Sequence, residues 1–392
     1  MIHYRATDST YKMIHHSYFI IVIILLSFTS CHKEESKYIL KETGNRLLFP
    51  IDNQTKNSPK TLFVYADKGN KQYLTFQNPN RNEILFYDLS SCNLEFKTSY
   101  DIEGMNGVGN IWGYYIHNLD SIFVTSRDLP EIYLTNHEGK LLKTFSYENT
   151  EEGSTLSTYC STSFLSMPGI LKENRFFIMP SCNRHITPNP ICATINLGTA
   201  KVNALPLTYP AFPGTDNELK KAGIELYVSR CFNTKGFVYS FYFDEDLYVT
   251  DIEHQTFRKI KTPSSNFEHV TVPDDYGNTT FKDMCEISNY GNILYDKYRD
   301  VYYRIAYPKT NITNDIRPLE LMDFGRKNFS IIILDKDFNI LGETLFPDFT
   351  YNSTLMFITE DGLYISDSHY LNPKFSDDEL SFKRFELVKI NQ

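Results

Sequence analysis

Arginine and histidine recur at positions where they could grip a negatively charged group: Arg127, Asn183-Arg184-His185, Arg230, Arg317, Arg326 and His369. A guanidinium offers paired N–H donors that match carboxylate or phosphate geometry, and a histidine adds a donor or an acceptor. These residues, with Asn183 among them, are the candidates for holding an anionic or polar ligand. Arg230 stands apart because "YVSRCF" (227–232) reads as a strand, where a charge needs a reason. Asp128, Asp323 and Asp367-Ser368 neighbour the basic positions as polar company.

Catalytic motifs are missing from the sequence. There is no GxSxG, no HExxH and no phosphate-binding loop. "EGMNGVGN" (103–110) carries three glycines, but no helical pattern follows, so it reads as a flexible connection rather than a phosphate cradle. The single tryptophan, Trp112, completes neither a sialidase Asp-box nor a Trp-Asp repeat. No catalytic residue is expected. No CxxC pair occurs among the seven cysteines, so a zinc knuckle is unsupported. Cys182 and Cys192 bracket one loop and are the candidates for a disulfide, with Cys231 and Cys285 reading as buried thiols.

The elements that must position the basic residues are β-strands. Five segments share one pattern: 83–100, 131–147, 191–207, 246–262 and 330–346. Each has a β-branched and aromatic run, a polar turn with Asp or Asn near its start, and a second run, which is a hairpin signal. Two more strand-like runs precede several of these hairpins, for example "NIWGYYIH" and "DSIFVTS", or "CEISNYGNILYD" and "DVYYRIAYP". Four antiparallel strands per unit make a propeller blade. The last unit supplies only three strands, and "GNRLLFPID" (44–52) is expected to complete it. The fold class is therefore all-β, a six-bladed β-propeller closed by its N-terminal strand. A β-sandwich would use seven to nine strands and cannot absorb these.

Within each unit the connections between first and second and between third and fourth strands are short. The others are long: 101–110, 148–162, 180–190, 208–225, 263–283, 308–328 and 367–381. In a propeller these lie on one face, where they would rim a concave site carrying the basic residues. No cofactor is expected. Lactonase-like propellers hold channel calcium with Glu, Asn and Asp, and the residues that could match are Glu286, Asn289 and Asp120.

Tyr and Phe number 28 and 29, in keeping with strands, and the formal net charge of −9 argues against a nucleic-acid partner. Residues 18–28 form an apolar run too short to span a bilayer, preceded by Arg5 and Lys12. Thr29-Ser30-Cys31 then resembles a bacterial lipobox, in which the residue matching Cys31 is acylated. Lys33-Glu34-Glu35 resembles the export signal that sends lipoproteins to the outer surface in Bacteroidetes. Residues 1–30 are read as a signal peptide, 31–43 as an acylated tether and 44–392 as one propeller domain. The expected location is the outer membrane, lipid-anchored, at the cell surface.

"EGMNGVGNIWGYYIHNLDSIFVTS" (103–126), together with the lipobox, resembles a family of Bacteroidetes propeller lipoproteins known only as a domain of unknown function. The resemblance implies a TolB-like six-bladed propeller and no catalytic residues. The reading that follows is a tethered binding module whose long-loop face takes a glycan, peptide or protein. The alternatives are a channel-site enzyme of lactonase or lyase type and a structural subunit of an envelope assembly.

Overall fold

The computed structural model describes residues 37–390, apart from 158–159, 161–164, 166, 182–188, 211–226 and 271–279. Strand β1 (Lys37–Pro50) comes first. Blade one follows as β2 (Phe63–Ala66), β3 (Gln72–Asn78), β4 (Glu83–Asp88) and β5 (Leu94–Ser99). Blade two is β6 (Ile111–Asn118), β7 (Ser121–Ser126), β8 (Glu131–Thr135) and β9 (Leu141–Ser146). Blade three is β10 (Ile170–Lys172), β11 (Arg175–Ile178), β12 (Ala193–Asn196) and β13 (Val202–Ala204). Blade four is β14 (Val228–Phe232), β15 (Phe237–Phe241), β16 (Asp246–Thr250) and β17 (Phe257–Lys261).

A short helix α1 (Phe281–Glu286) leads into blade five, which is β18 (Asn289–Asp296), β19 (Val301–Tyr307), β20 (Ser330–Leu334) and β21 (Ile340–Leu345). Helix α2 (Pro318–Asp323) lies between β19 and β20. Blade six is β22 (Asn352–Thr359), β23 (Gly362–Ser366) and β24 (Glu379–Ile390), with β1 hydrogen-bonded beside β24. Among the described residues this makes six antiparallel four-stranded sheets, and the expected six-bladed propeller closed by its first strand is what the chain forms.

The recurring Asp or Asn explains the outer hairpins. In each of five blades its carboxylate or amide oxygen accepts backbone N–H groups of the turn: Asp88 from Ser90, Asn136 from Glu138 and Lys140, Asn196 from Gly198 and Thr199, Asp251 from Glu253 and Gln255, Asp335 from Asp337 and Asn339. These Asx-turns offer the chain a local substitute for ladder bonds and reverse its direction. Each turn also contains one residue with positive φ, namely Cys92, Gly139, Ala200, His254 and Phe338.

Apolar clusters fill the spaces between neighbouring blades. Leu74, Phe76 and Leu85 of blade one pack with Leu355, Phe357 and Phe382 of blade six, and Phe49 of β1 sits at that joint. Phe49 is fully buried, with its ring edge-on to Tyr87 at 5.7 Å and to Phe382 at 5.9 Å. Burying such a ring stabilises by roughly 2–3 kcal/mol.

Two expectations about element bounds are corrected. β1 begins at Lys37, so residues 37–43 are sheet rather than tether. The reason is Tyr38 and Leu40, which pack into the cluster between blades five and six. The Leu40 N–H also donates to Thr344 Oγ1 of β21 at 2.9 Å. The segment containing Cys285 and Glu286 is not strand but α1, held by a capping box between Thr280 and Asp283.

The long-loop expectation is met where the chain is described. The turns β2–β3, β6–β7, β14–β15 and β18–β19 are tight, as are the outer hairpins. The long connections, with both helices, enter first strands or join second to third strands, which is one face of the disc.

Candidate functional site

On the long-loop face a cleft of about 340 Å³ lies between the loop entering β2, the turn after β3, the start of β6, Arg127 and Asp323 at the end of α2. Its floor is built by two amides of blade one. Asn82 Oδ1 accepts from the Ile111 N–H at 2.9 Å, and Gln77 Nε2 donates to the Ile111 carbonyl at 2.7 Å. Asn82 Nδ2 also donates to the Gly109 and Tyr100 carbonyls. Both backbone groups of Ile111 are thus held by blade one, which fixes the start of β6 and with it Trp112.

The half-buried indole of Trp112 carries the Arg127 guanidinium above its ring, 5.4 Å from the centroid. Arg127 is exposed, and among the described residues it makes no ion pair. Its backbone N–H donates to the Asn110 carbonyl at 2.8 Å, while Asn110 Nδ2 donates to Asp128 Oδ2 at 3.0 Å. Across the cleft Lys60 Nζ lies 3.1 Å from Asp323 Oδ1, joining the entry of blade one to a loop of blade five. Lys56 is a third cation in the lining. Three cations against one carboxylate make this a locally positive pocket on a chain of net charge −9. A stacked guanidinium keeps its edge N–H groups for an anion, and an indole face accepts the apolar face of a ring.

The other candidates lie elsewhere. Arg326 and His369 come together but face inward, and neither is open to a ligand. Burial is 6% exposure for Arg326 and none for His369. His369 Nε2–H donates to the Arg326 carbonyl at 3.0 Å, and its Nδ1 accepts from the Leu371 N–H at 3.2 Å. Burial pushes the His369 pKa down to about 4, so the ring is neutral at pH 7. The Arg326 guanidinium donates to the Met284 carbonyl and lies over the Tyr307 ring. Together these two residues tie three long loops to one another. Arg317 is exposed and pairs with Glu320 of its own helix.

Arg230 is 1% exposed. Its Nη atoms donate to the carbonyls of Pro168, Phe177 and Ile178 and to Cys192 Sγ, and its guanidinium lies 5.0 Å from the Phe237 ring centroid. Cys192 is a buried thiol among the described residues. Cys231 and Cys285 are buried thiols too. Cys31, Cys182, Asn183, Arg184 and His185 lie outside the described residues.

The calcium set is not assembled. Asp120 sits in the tight β6–β7 turn on the short-loop face, whereas Glu286 and Asn289 flank the entry to β18 on the other. Glu286 Oε1 accepts from the Ile312 N–H at 3.0 Å and so holds a loop. Among the described residues no group of three His, Cys, Asp or Glu side chains could hold a metal ion.

Two residues of consequence escape a reading of types and spacing. Trp112 completes no motif, although a lone tryptophan after a glycine-rich connection is a usable signal. Arg304, within "VYYRIAYP", is wholly buried. Its Nε donates to Ser240 Oγ at 3.0 Å, Nη1 to the Glu245 carbonyl at 2.7 Å and Thr262 Oγ1 at 2.7 Å, and Nη2 to the Asp244 carbonyl at 2.6 Å. The Tyr290 ring centroid is 3.6 Å from its guanidinium carbon. It bolts blade five to blade four.

Ring, strand order and cleft define a six-bladed propeller with one elaborated face. Residues 37–345 match the family model described as "Domain of unknown function (DUF4221)", and the chain belongs to that family. A crystal structure of a DUF4221 member from Bacteroides vulgatus is similar at 26% identity and a TM-score of 0.79, covering 91% of this chain and 100% of that one. A Bacteroides fragilis protein whose name describes it as exported shares the fold at 8% identity and a TM-score of 0.52, over 91% of this chain and 98% of its own. No curated protein matches the sequence.

Proposed function

We propose that this chain is a binding module whose long-loop face takes an anionic, ring-bearing ligand, an acidic saccharide by class, in the cleft of Lys56, Lys60, Trp112 and Arg127. The observation that carries the reading is Arg127, exposed, stacked on Trp112 and without an ion pair among the described residues, beside two lysines. The cleft is of monosaccharide to disaccharide size, and the buried amides of Gln77 and Asn82 fix the Ile111 backbone beside Trp112. Such preorganisation lowers the entropy lost on binding.

Trp112 is the chain's single tryptophan, so its emission reports on this cleft alone. A uronic-acid disaccharide should change that emission saturably, and a neutral disaccharide of the same size should bind at least tenfold more weakly. Arg127→Ala should remove the preference without lowering Tm. Equal response to both sugars, or an unchanged preference in the variant, refutes the assignment.

The module is further proposed to be anchored to the outer membrane through a lipid on Cys31 and to face outward. The lipobox-like Thr29-Ser30-Cys31 and the following Lys33-Glu34-Glu35 support this, as does the exported designation of the Bacteroides fragilis relative. Protease treatment of intact cells should degrade the protein, and Cys31→Ala should release it from the membrane fraction. Protection until the outer membrane is broken would place it in the periplasm.

A further inference from the structure

A second cavity, of about 250 Å³, lies among the first strands of the blades. Leu62 and Phe63 of blade one line it, with Ile170 of β10, Phe232 of β14, Ile293 of β18 and Ile358 of β22. The walls are apolar, and the one charged residue among them is Arg230.

The surroundings of Arg230 differ from those of the other deeply buried arginine. Arg304 has every guanidinium nitrogen hydrogen-bonded and a ring against its face. Arg230 has its two Nη atoms satisfied, but its buried Nε has no partner. It makes no ion pair with a described carboxylate. Nor do its titratable neighbours supply negative charge. Burial holds the Cys192 thiol and the Tyr239 hydroxyl protonated, pushes the Cys160 thiol up to about 12 and drops His254 to about 4. A buried cation without a counter-charge is costly, and backbone carbonyls offset only part of that cost. Of the two, Arg304 is satisfied as it stands. Arg230 is left with one buried donor, Nε–H, that has no acceptor.

We propose that this cavity is a binding site for a small apolar carboxylate, a medium-chain fatty acid or arylalkanoate by class, with its carboxylate on Arg230 and its tail along the apolar walls. Monovalent charge matches a single unpartnered N–H, and the described lining is mostly apolar, which suits a hydrocarbon tail better than a sugar. The site is distinct from the acidic-saccharide cleft, although Thr61 lines the cleft and Leu62 the cavity.

The test compares octanoate with octanol on the intact protein by titration calorimetry. A charge-assisted hydrogen bond in an apolar setting predicts octanoate binding tighter by about tenfold or more. Ile358→Trp, which fills the cavity while leaving Arg230 in place, should abolish octanoate binding. Arg230→Met should level the two ligands, and because it could fail to fold, the Trp variant and the wild-type comparison stand without it. Arg127→Ala should leave octanoate binding unchanged. Equal affinity for octanol and octanoate, no octanoate binding, or persistence in the Ile358→Trp protein overturns the proposal. Loss of octanoate binding in Arg127→Ala also overturns it, by placing the anion in the cleft, and leaves the cleft reading intact.

Discussion

The Tyr239 hydroxyl and His254 Nε2 lie 2.6 Å apart beneath the surface of blade four, with the Phe237 ring against the imidazole at 5.1 Å. His254 belongs to an outer-hairpin turn yet is only 3% exposed. Desolvation, reinforced by the nearby Arg230 charge, lowers its pKa to about 4. The same holds, by burial alone, for His369.

Both histidines must therefore be neutral in the folded protein, while in the unfolded chain they take up protons near pH 6.5. Stability from this source is fully present above about pH 6.5 and is lost as pH falls toward about 4. Each ring contributes up to about 3 kcal/mol over that window. Carboxylates such as Glu42, Glu253 and Glu343, held low by their hydrogen bonds, lose their contributions only at lower pH. Tm should drop between pH 7 and pH 5, and the drop should shrink in His369→Gln, whose amide can still donate to the Arg326 carbonyl. A Tm flat across that interval would contradict the neutral assignment.

Arg304→Met should destabilise by about 3–5 kcal/mol, because it strands the carbonyls of Asp244, Glu245 and Thr262 away from water. Arg304→Lys should recover little, since one ammonium cannot reproduce the planar fork that reaches all three. Denaturant unfolding of the two variants measures this directly.

Gly342 of β21 lies under the first residues of β1. A Cβ there would stand 2.0 Å from the Tyr38 carbonyl oxygen, so Gly342→Ala must push β1 away. The expected cost is about 2–4 kcal/mol, with amide exchange rising first in residues 38–41. Protection that stays unchanged there would show that β1 does not depend on this approach.

Ala200 adopts φ +59 in the outer turn of blade three, a conformation that glycine takes without steric penalty. Ala200→Gly should stabilise by roughly 0.5–1 kcal/mol, the relief of strain exceeding the added freedom of the unfolded chain. A fall in Tm would mean that the alanine methyl contributes packing that outweighs the strain.

The hairpins were legible because a local rule makes them. Asp88, Asn136, Asn196, Asp251 and Asp335 bend the chain through their own side chains, and the flanking residues alternate. The start of β1 was not legible, since its partners Gly342 and Thr344 come some 300 residues later. The basic residues divide on the same ground. Arg127 follows a strand end and is exposed, as its loop position suggests. Arg326 and His369 looked equally exposed by type, but α1 and the blade-five loop fold over them, and nothing nearby in sequence announces that cover. Arg230 and Arg304 are arginines in strands, and only the spacing of blades decides that both are sealed in.

The joint at blade six sets an order on biosynthesis. Glu42 pairs with Lys383, 341 residues away, and β1 gains its sheet partner only when β24 exists. A strand made first must wait, unpaired, for the last to arrive, and contacts of such long separation form slowly. Chains released from the ribosome short of residue 379 would carry β1 as an orphan edge and could not seal the disc. The ring is therefore sealed late, with β24 as its latch.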